Sequence, residues 1–253
     1  MTMNMLMDLF YARLGTFALG YARIAPVFYL LPFLSDRTIA NGIVRNTVVV
    51  IVVVGLWPSA TSPVTAGSAE MLWQALNEAM TGLVLGVTIA LPFWVATSVG
   101  ELIDNQRGAT ARDTIAPGAE GDASTFAPFM SMFYSAAFLQ QGGMVSIMKV
   151  LRESYAIVPV GAAYRMDLMH AVPLLDSLAS AGLALAAPVL IATFATDALL
   201  GLYSRMCPQV NAFSLSLTIK TFVALVIFHL YFGGGWQHLL PMWDADALRH
   251  WMR

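Results

Sequence analysis

The chain has 253 residues, of which 58% are hydrophobic and only 11% charged, with 13 basic and 15 acidic side chains and a formal charge of -2. Its mean hydropathy of +0.70 lies outside the soluble globular range and marks a membrane protein. No lysine- or arginine-rich tract is present to hold nucleic acid, and the lone Cys207 can form neither an internal disulfide nor a zinc site by itself.

The N-terminus, MTMNMLMDLFYARLG, has no basic region ahead of its apolar stretch and no small-residue cleavage site, so it reads as retained. A helix that crosses a bilayer needs about 20 mostly apolar residues. The first hydrophobic region, Leu9–Leu34, is interrupted by Arg13 and Arg23. Five further runs are free of Asp, Glu, Lys and Arg: Asn46–Ala69, Ala79–Gly100, Ala123–Met148, Ser177–Thr196 and Thr221–Trp243. The dense part of the second region, Val48–Trp57, falls short of the hydrocarbon thickness of roughly 30 Å. Prolines at 26, 32, 92, 128, 188 and 208 each remove a backbone hydrogen bond or bend a helix. The expected fold is therefore all-α: hydrophobic helical hairpins of an integral membrane protein, with about six hydrophobic segments and proline-broken helices. No segment is long enough for a separate soluble domain, so residues 1–253 read as a single domain with a polar insert at about 101–125.

Charge placement leaves the orientation open. Six segments put Arg37, Arg45, Arg107, Arg112 and Arg205 on one side, and Arg13, Lys149, Arg152, Arg165, Arg249 and Arg253 on the other. A chain whose hydropathy says membrane while its charges balance can bury its apolar surface against other subunits. Small residues support that reading, because helices in apolar surroundings associate by close backbone approach. Gly82 and Gly86 form a GxxxG pair, and Ser131, Ser135, Gly142 and Ser146 fall on one helical face by their spacings of four, seven and four. Each pair serves either packing within the chain or contact between chains.

Charges inside apolar segments are costly, and Arg23, Arg45, Asp197, Arg205 and Lys220 need an account. One reading makes Asp197 the titrating group of a proton relay. The other makes all five structural or assembly contacts, and it is favoured because no second acid lies at helical spacing from Asp197. The chain has no HExxH, GxSxG, Walker A or dinucleotide-binding pattern. Its four histidines, His170, His229, His238 and His250, form no clustered set. No enzyme, metal or cofactor is expected.

The stretches YARIAPVFYLLPFL with GIVRN, GLVLGVTIALPFWVATSVGELIDNQRG, FLQQGGMVSIMKVLRESYAIVPVG and ATDALLGLYSRMCPQVNAFSLSLTIK resemble the T subunit of the type III secretion export apparatus (SctT), homologous to flagellar FliR. The most specific blocks carry Gly100, Asp104, Gln106, Arg107 and Gly108, then Arg205, Pro208, Gln209, Asn211 and Lys220. The resemblance implies a bacterial inner-membrane, multi-pass protein that joins R, S and U subunits (FliP-, FliQ- and FlhB-like). Its further partners would be the V subunit, needle and inner-rod proteins, secreted polypeptides and membrane lipid. The assembled helical entry portal would be raised toward the periplasm. A secondary transporter using Asp197 and Lys220 for ion coupling is the competing reading, but the polar insert has no partner in the second half, as an internal repeat would require.

That insert, GELIDNQRGATARDTIAPGAEGDAST from Gly100 to Ser124 and Thr125, is long for a helix connection, and such loops are functional or disordered. Its glycines and small residues allow sharp reversals, and its acids suit water better than lipid. A solvated connector and a pore element fit these residues equally. The resemblance implies the second, a loop that plugs the portal, with Asn105, Gln106, Arg107, Gly108, Ala109, Arg112, Asp113, Pro117 and Gly118 as candidates.

Overall fold

The computed structural model describes residues 3–35, 41–56, 68–107, 124–160, 171–206 and 212–235. Seven α-helices and one short 3-10 turn occur among them, and no strand. The helices are α1 (Met3–Leu30), α2 (Gly42–Leu56), α3 (Ser68–Gln106), α4 (Phe126–Gln140), α5 (Gly143–Ile157), α6 (Ala171–Met206) and α7 (Ala212–Gly235). The all-helical fold anticipated from hydropathy is the one observed.

Helix α2, GIVRNTVVVIVVVGL, is dominated by β-branched residues that would favour a strand on a soluble surface. In apolar surroundings a single helix satisfies every backbone polar group without a partner strand, and that requirement overrides propensity. Asn41 starts it by accepting a hydrogen bond from the backbone N–H of Ile43 at 3.0 Å, the capping role asparagine serves well. At 15 residues the helix is about 22 Å long, shorter than a bilayer core, as the sequence suggests.

Two expectations are corrected. The helices are not broken at Pro26, Pro92 or Pro188, each of which lies inside a continuous helix. One lost hydrogen bond does not end a helix whose flanking turns stay satisfied by their own backbone. The serine and glycine stripe does not share a helix either. Ser131 and Ser135 belong to α4 and Ser146 to α5. Between them Gly142 adopts φ +79°, a left-handed conformation that glycine takes without a Cβ penalty. The apolar run predicted as one segment is thus two helices joined at Gln141 and Gly142.

The chain forms two compact units. The first comprises residues 1–91, 138–172 and 243–253. Its α1 buries Leu19, Ile24, Val27 and Phe28, and α2 buries Val49, Val52 and Val53. Gly82 and Gly86 let α3 approach α1 closely: a Cβ at Gly82 would overlap the carbonyl of Arg23, and one at Gly86 would press on Val27 and Leu30. The GxxxG pair therefore serves packing within the chain, one of its two readings. The second unit comprises residues 92–137 and 173–242. There a Cβ at Gly100 would overlap the backbone of Phe126 and Ala127, and one at Gly182 would overlap Val95. Phe93 meets Tyr134 edge to face at 5.0 Å.

Ala69–Gln106 and Leu175–Met206 are long and apolar enough to cross a membrane, and Gly42–Leu56 and Leu215–Tyr231 are shorter apolar helices. Replacing Gly82 by Val should destabilise the chain by about 3 kcal/mol, since backbone rather than a yielding side chain stands in the way. At Gly55 nothing lies within 4 Å of a Cβ, so Gly55→Ala should stay within about 0.5 kcal/mol of wild type. Thermal unfolding in detergent compares the two, and equal losses would contradict this packing.

Candidate functional site

The end of α3 and the start of α4 are tied together by one carboxylate. Asp104, 2% exposed, accepts hydrogen bonds from the backbone N–H groups of Thr125 (3.3 Å), Phe126 (3.2 Å) and Ala127 (3.0 Å), and from the Ser124 hydroxyl (2.6 Å). The first N–H groups of a helix have no partner of their own, and the N-terminal end of the helix dipole favours negative charge. Asp104 supplies both needs from across the hairpin. Arg107, three residues on, donates from Nε to Asp104 at 2.8 Å and from Nη2 to the Thr125 hydroxyl at 3.1 Å. Its guanidinium also lies 5.6 Å from the Phe126 ring centre.

This clasp brings together the two ends of the polar insert. Asn105 and Gln106 are exposed on the last turn of α3, whereas Arg107 is buried in the clasp. Gly108, Ala109, Arg112, Asp113, Pro117 and Gly118 lie outside the described residues. Beside the clasp is a cavity of about 540 Å³, lined by Arg107, Thr125, Phe126, Phe129, Thr221, Leu225, Phe228 and His229. Phe228 stands edge-on to Phe126 at 5.2 Å and to Phe129 at 6.0 Å, which makes its walls largely aromatic.

Of the five candidate charges, Arg23 is the most deeply placed. It is 0% exposed and pairs at 2.5 Å with Glu78, 1% exposed. It also donates to the Val158 carbonyl at 2.9 Å and stacks 4.2 Å from the Tyr155 ring centre. Glu78 lies one turn before Gly82, so the ion pair and the close backbone approach share one helix crossing. Burial raises the pKa of the Tyr155 hydroxyl well above the ordinary tyrosine range; Arg23 opposes that shift and Glu78 reinforces it. The phenol beside this ion pair is thus neutral. Arg45 stacks on Tyr29 at 4.4 Å and donates to the Leu34 carbonyl at 3.4 Å. Asp197 and Lys220 meet at 2.5 Å between α6 and α7. Arg205 is exposed in the last turn of α6, where a cation complements the helix dipole.

The helix-packing candidates separate in the same way. Gly82 and Gly86 are at a helix crossing, and Ser135 turns back to the Ser131 carbonyl at 2.6 Å. Gly142 forms the α4–α5 turn, and its carbonyl receives the Ser146 N–H at 3.2 Å.

Sequence reasoning missed Glu78 and the capping role of Asp104. Glu78 was findable: it is the acid bordering the charge-free run Ala79–Gly100, and a buried arginine requires an anion. Ser124 and Thr125 ahead of an apolar helix also signal an N-terminus in need of a cap.

The family model of bacterial export proteins, family 1, matches residues 14–245. The surface presentation of antigens protein SpaR of Salmonella typhimurium is 39% identical over 216 residues, 85% of this chain and 82% of that protein. The Yop proteins translocation protein T of Yersinia pestis is 30% identical over 233 residues, 90% and 89% of the two chains. The flagellar biosynthetic protein FliR of Escherichia coli is 24% identical over 206 residues, 80% and 78%. The chain belongs to the bacterial export proteins, family 1, and is an inner-membrane component of a type III export apparatus rather than an enzyme.

Two substitutions test the site. Asp104→Ala should cost the start of α4 about 2 kcal/mol, read as hydrogen exchange about thirtyfold faster at the Phe126 and Ala127 amides; unchanged exchange would contradict the clasp. Glu78→Leu should cost about 3–5 kcal/mol, because it strands the Arg23 charge, and adding Arg23→Met should recover most of that loss. Thermal unfolding of the single and double variants in detergent measures the recovery.

Proposed function

We propose that the chain is a wall of the portal through which unfolded polypeptides leave, and that its polar insert gates that portal. The observation that carries this reading is the Asp104 clasp in a member of an export family. It fixes both ends of a glycine-rich, charged segment at the tip of a long apolar helix. Those bonds cap α4 whatever the insert does, and a simple connector does not require the fixed root that they leave. A gate does, because a loop that must both close and yield has to move about a fixed root.

The partners are R and S subunits, FliP- and FliQ-like, in the portal itself, with the U and V subunits and the needle or inner-rod proteins adjoining it. The assembled complex stands raised toward the periplasm, so that short helices such as α2 need not each span lipid. Arg23 and Arg45 hold the fold, while Asp197, Arg205 and Lys220 take part in assembly. Asn105 and Gln106 form the exposed lip below the gate, and Arg107 anchors it.

Deleting Ala109–Gly118 tests the gate while sparing the clasp. The variant should assemble with its partners yet leave the bacterial inner membrane permeable to small ions, seen as a rise in ion conductance or loss of membrane potential. An assembled deletion variant that exports normally and holds its permeability barrier makes the insert a connector.

A further inference from the structure

The cavity beside the clasp takes no part in capping α4. Its walls come from the end of α3, the first turns of α4 and one face of α7, where Thr221, Leu225 and Phe228 recur at intervals of four and three. Phe126 and Arg107, 6% and 7% exposed, form its floor, while Phe129 and Leu225 stand half exposed at its mouth. At about 540 Å³ it has the size of a small-molecule site, which is characteristically apolar with a few polar groups to one side.

The lining chemistry narrows the occupant. A buried water needs several polar partners, and the phenyl rings and Leu225 offer none. Ions are disfavoured as well. Arg107, the one permanent charge among the lining residues, is already paired with Asp104 at 2.6 Å. An anion would compete with that carboxylate, and a cation would meet the guanidinium. The two lining hydroxyls differ: Thr221 donates to the Leu217 carbonyl at 2.8 Å, whereas Thr125 accepts from Arg107 Nη2 and donates its own proton to no acceptor among the described residues. Thr125 is therefore able to donate to an oxygen inside the cavity. Phe228 is edge-on to both Phe126 and Phe129, an arrangement that a further ring extends by edge-to-face or offset contact. A rigid ring also has no rotatable bonds to order on binding, unlike an acyl chain of the same area.

We propose that this cavity is a binding site for a small, uncharged aromatic molecule carrying an acceptor oxygen, such as an aryl ketone or ester. Its rings lie among Phe126, Phe129 and Phe228, and its oxygen accepts from the Thr125 hydroxyl. Occupancy is linked to the clasp. The Phe126 ring is a wall of the cavity while its amide is held by Asp104, and Arg107 and Thr125 belong to both sites. A ligand that needs these groups in place stabilises the capped start of α4 over the frayed one by mass action. Such a site goes beyond the portal reading and needs no gate, since the clasp closes whether the insert gates or merely connects.

Benzophenone, with its two rings and single ketone, is a suitable probe, because ultraviolet light couples it to neighbouring C–H bonds. The export complex is purified in detergent from cells expressing the whole apparatus. Adducts on this chain should saturate with probe concentration and map to the cavity-lining residues of α4 and α7. Leu225→Trp, which places an indole in the mouth, should lower those adducts about tenfold, whereas Leu230→Trp, on α7 outside the cavity, should not. At about ten times the half-saturating concentration, hydrogen exchange at the Phe126 and Ala127 amides should slow roughly tenfold. Adducts that rise without saturating, or that spread over the exposed apolar faces of the helices, would show partition into detergent and overturn the proposal. So would undiminished adducts in Leu225→Trp, unchanged exchange at the two amides, or a phospholipid acyl chain that holds the cavity against the probe. Adduct mapping and exchange in the unaltered chain decide the matter even where Leu225→Trp fails to fold.

Discussion

Every helix begins with N–H groups that have no partner in the helix itself, and at the start of α4 those of Thr125, Phe126 and Ala127 turn to one carboxylate, that of Asp104. The geometry around it follows from that demand. The cap must come from the preceding helix, so α3 and α4 must run close, and Gly100 permits this by leaving no Cβ against the α4 backbone. Arg107 then balances the buried charge and ties it to Thr125. A buried carboxylate with so many donors is stable only while all of them are present, which makes the root of the insert a rigid point. The family is one of export-apparatus components rather than enzymes, and placement of this kind asks for no reactive group.

The same rule, that buried polar groups must be satisfied, governs the rest of the molecule. Arg23 is tolerated in the interior because Glu78, the Val158 carbonyl and the Tyr155 ring surround it. Burial of one partner alone would be prohibitive. Backbone groups obey it as well. A valine-rich segment becomes helix α2 because a strand in apolar surroundings would need neighbours, and prolines at 26, 92 and 188 sit within helices long enough to absorb one missing bond.

The all-helical class and the membrane setting were legible from hydropathy alone, since no other arrangement satisfies long apolar runs. The family was legible from ordered blocks such as VGELIDNQRG and SRMCPQVNAFSLSLTIK. Helix ends were less so. The division at Gly142 turns on a single left-handed residue; the run Gln140-Gln141-Gly142-Gly143 marks that turn, but reading the segment by its lack of charge passes over it. Ion pairs were half legible: Asp197 and Lys220 both stand out against apolar neighbours, whereas Glu78 lies in the polar-looking stretch QALNEAMTG and is buried only by the approach of α1. Pairing across fifty residues depends on the packing of helices, which spacing within one helix cannot disclose.

Glycines make the same point about motifs. Gly82, Gly86, Gly100 and Gly182 each abut another part of this chain, whereas a Cβ at Gly55 or Gly201 would meet no atom within 4 Å among the described residues. By sequence the first pair looks like the association motif, and Gly201 looks incidental. Close approach within the chain has already used the GxxxG pair, so it cannot also join subunits. Gly55 is flanked by Val54 and Leu56, and an apolar notch of that kind can lie against lipid chains at no electrostatic cost.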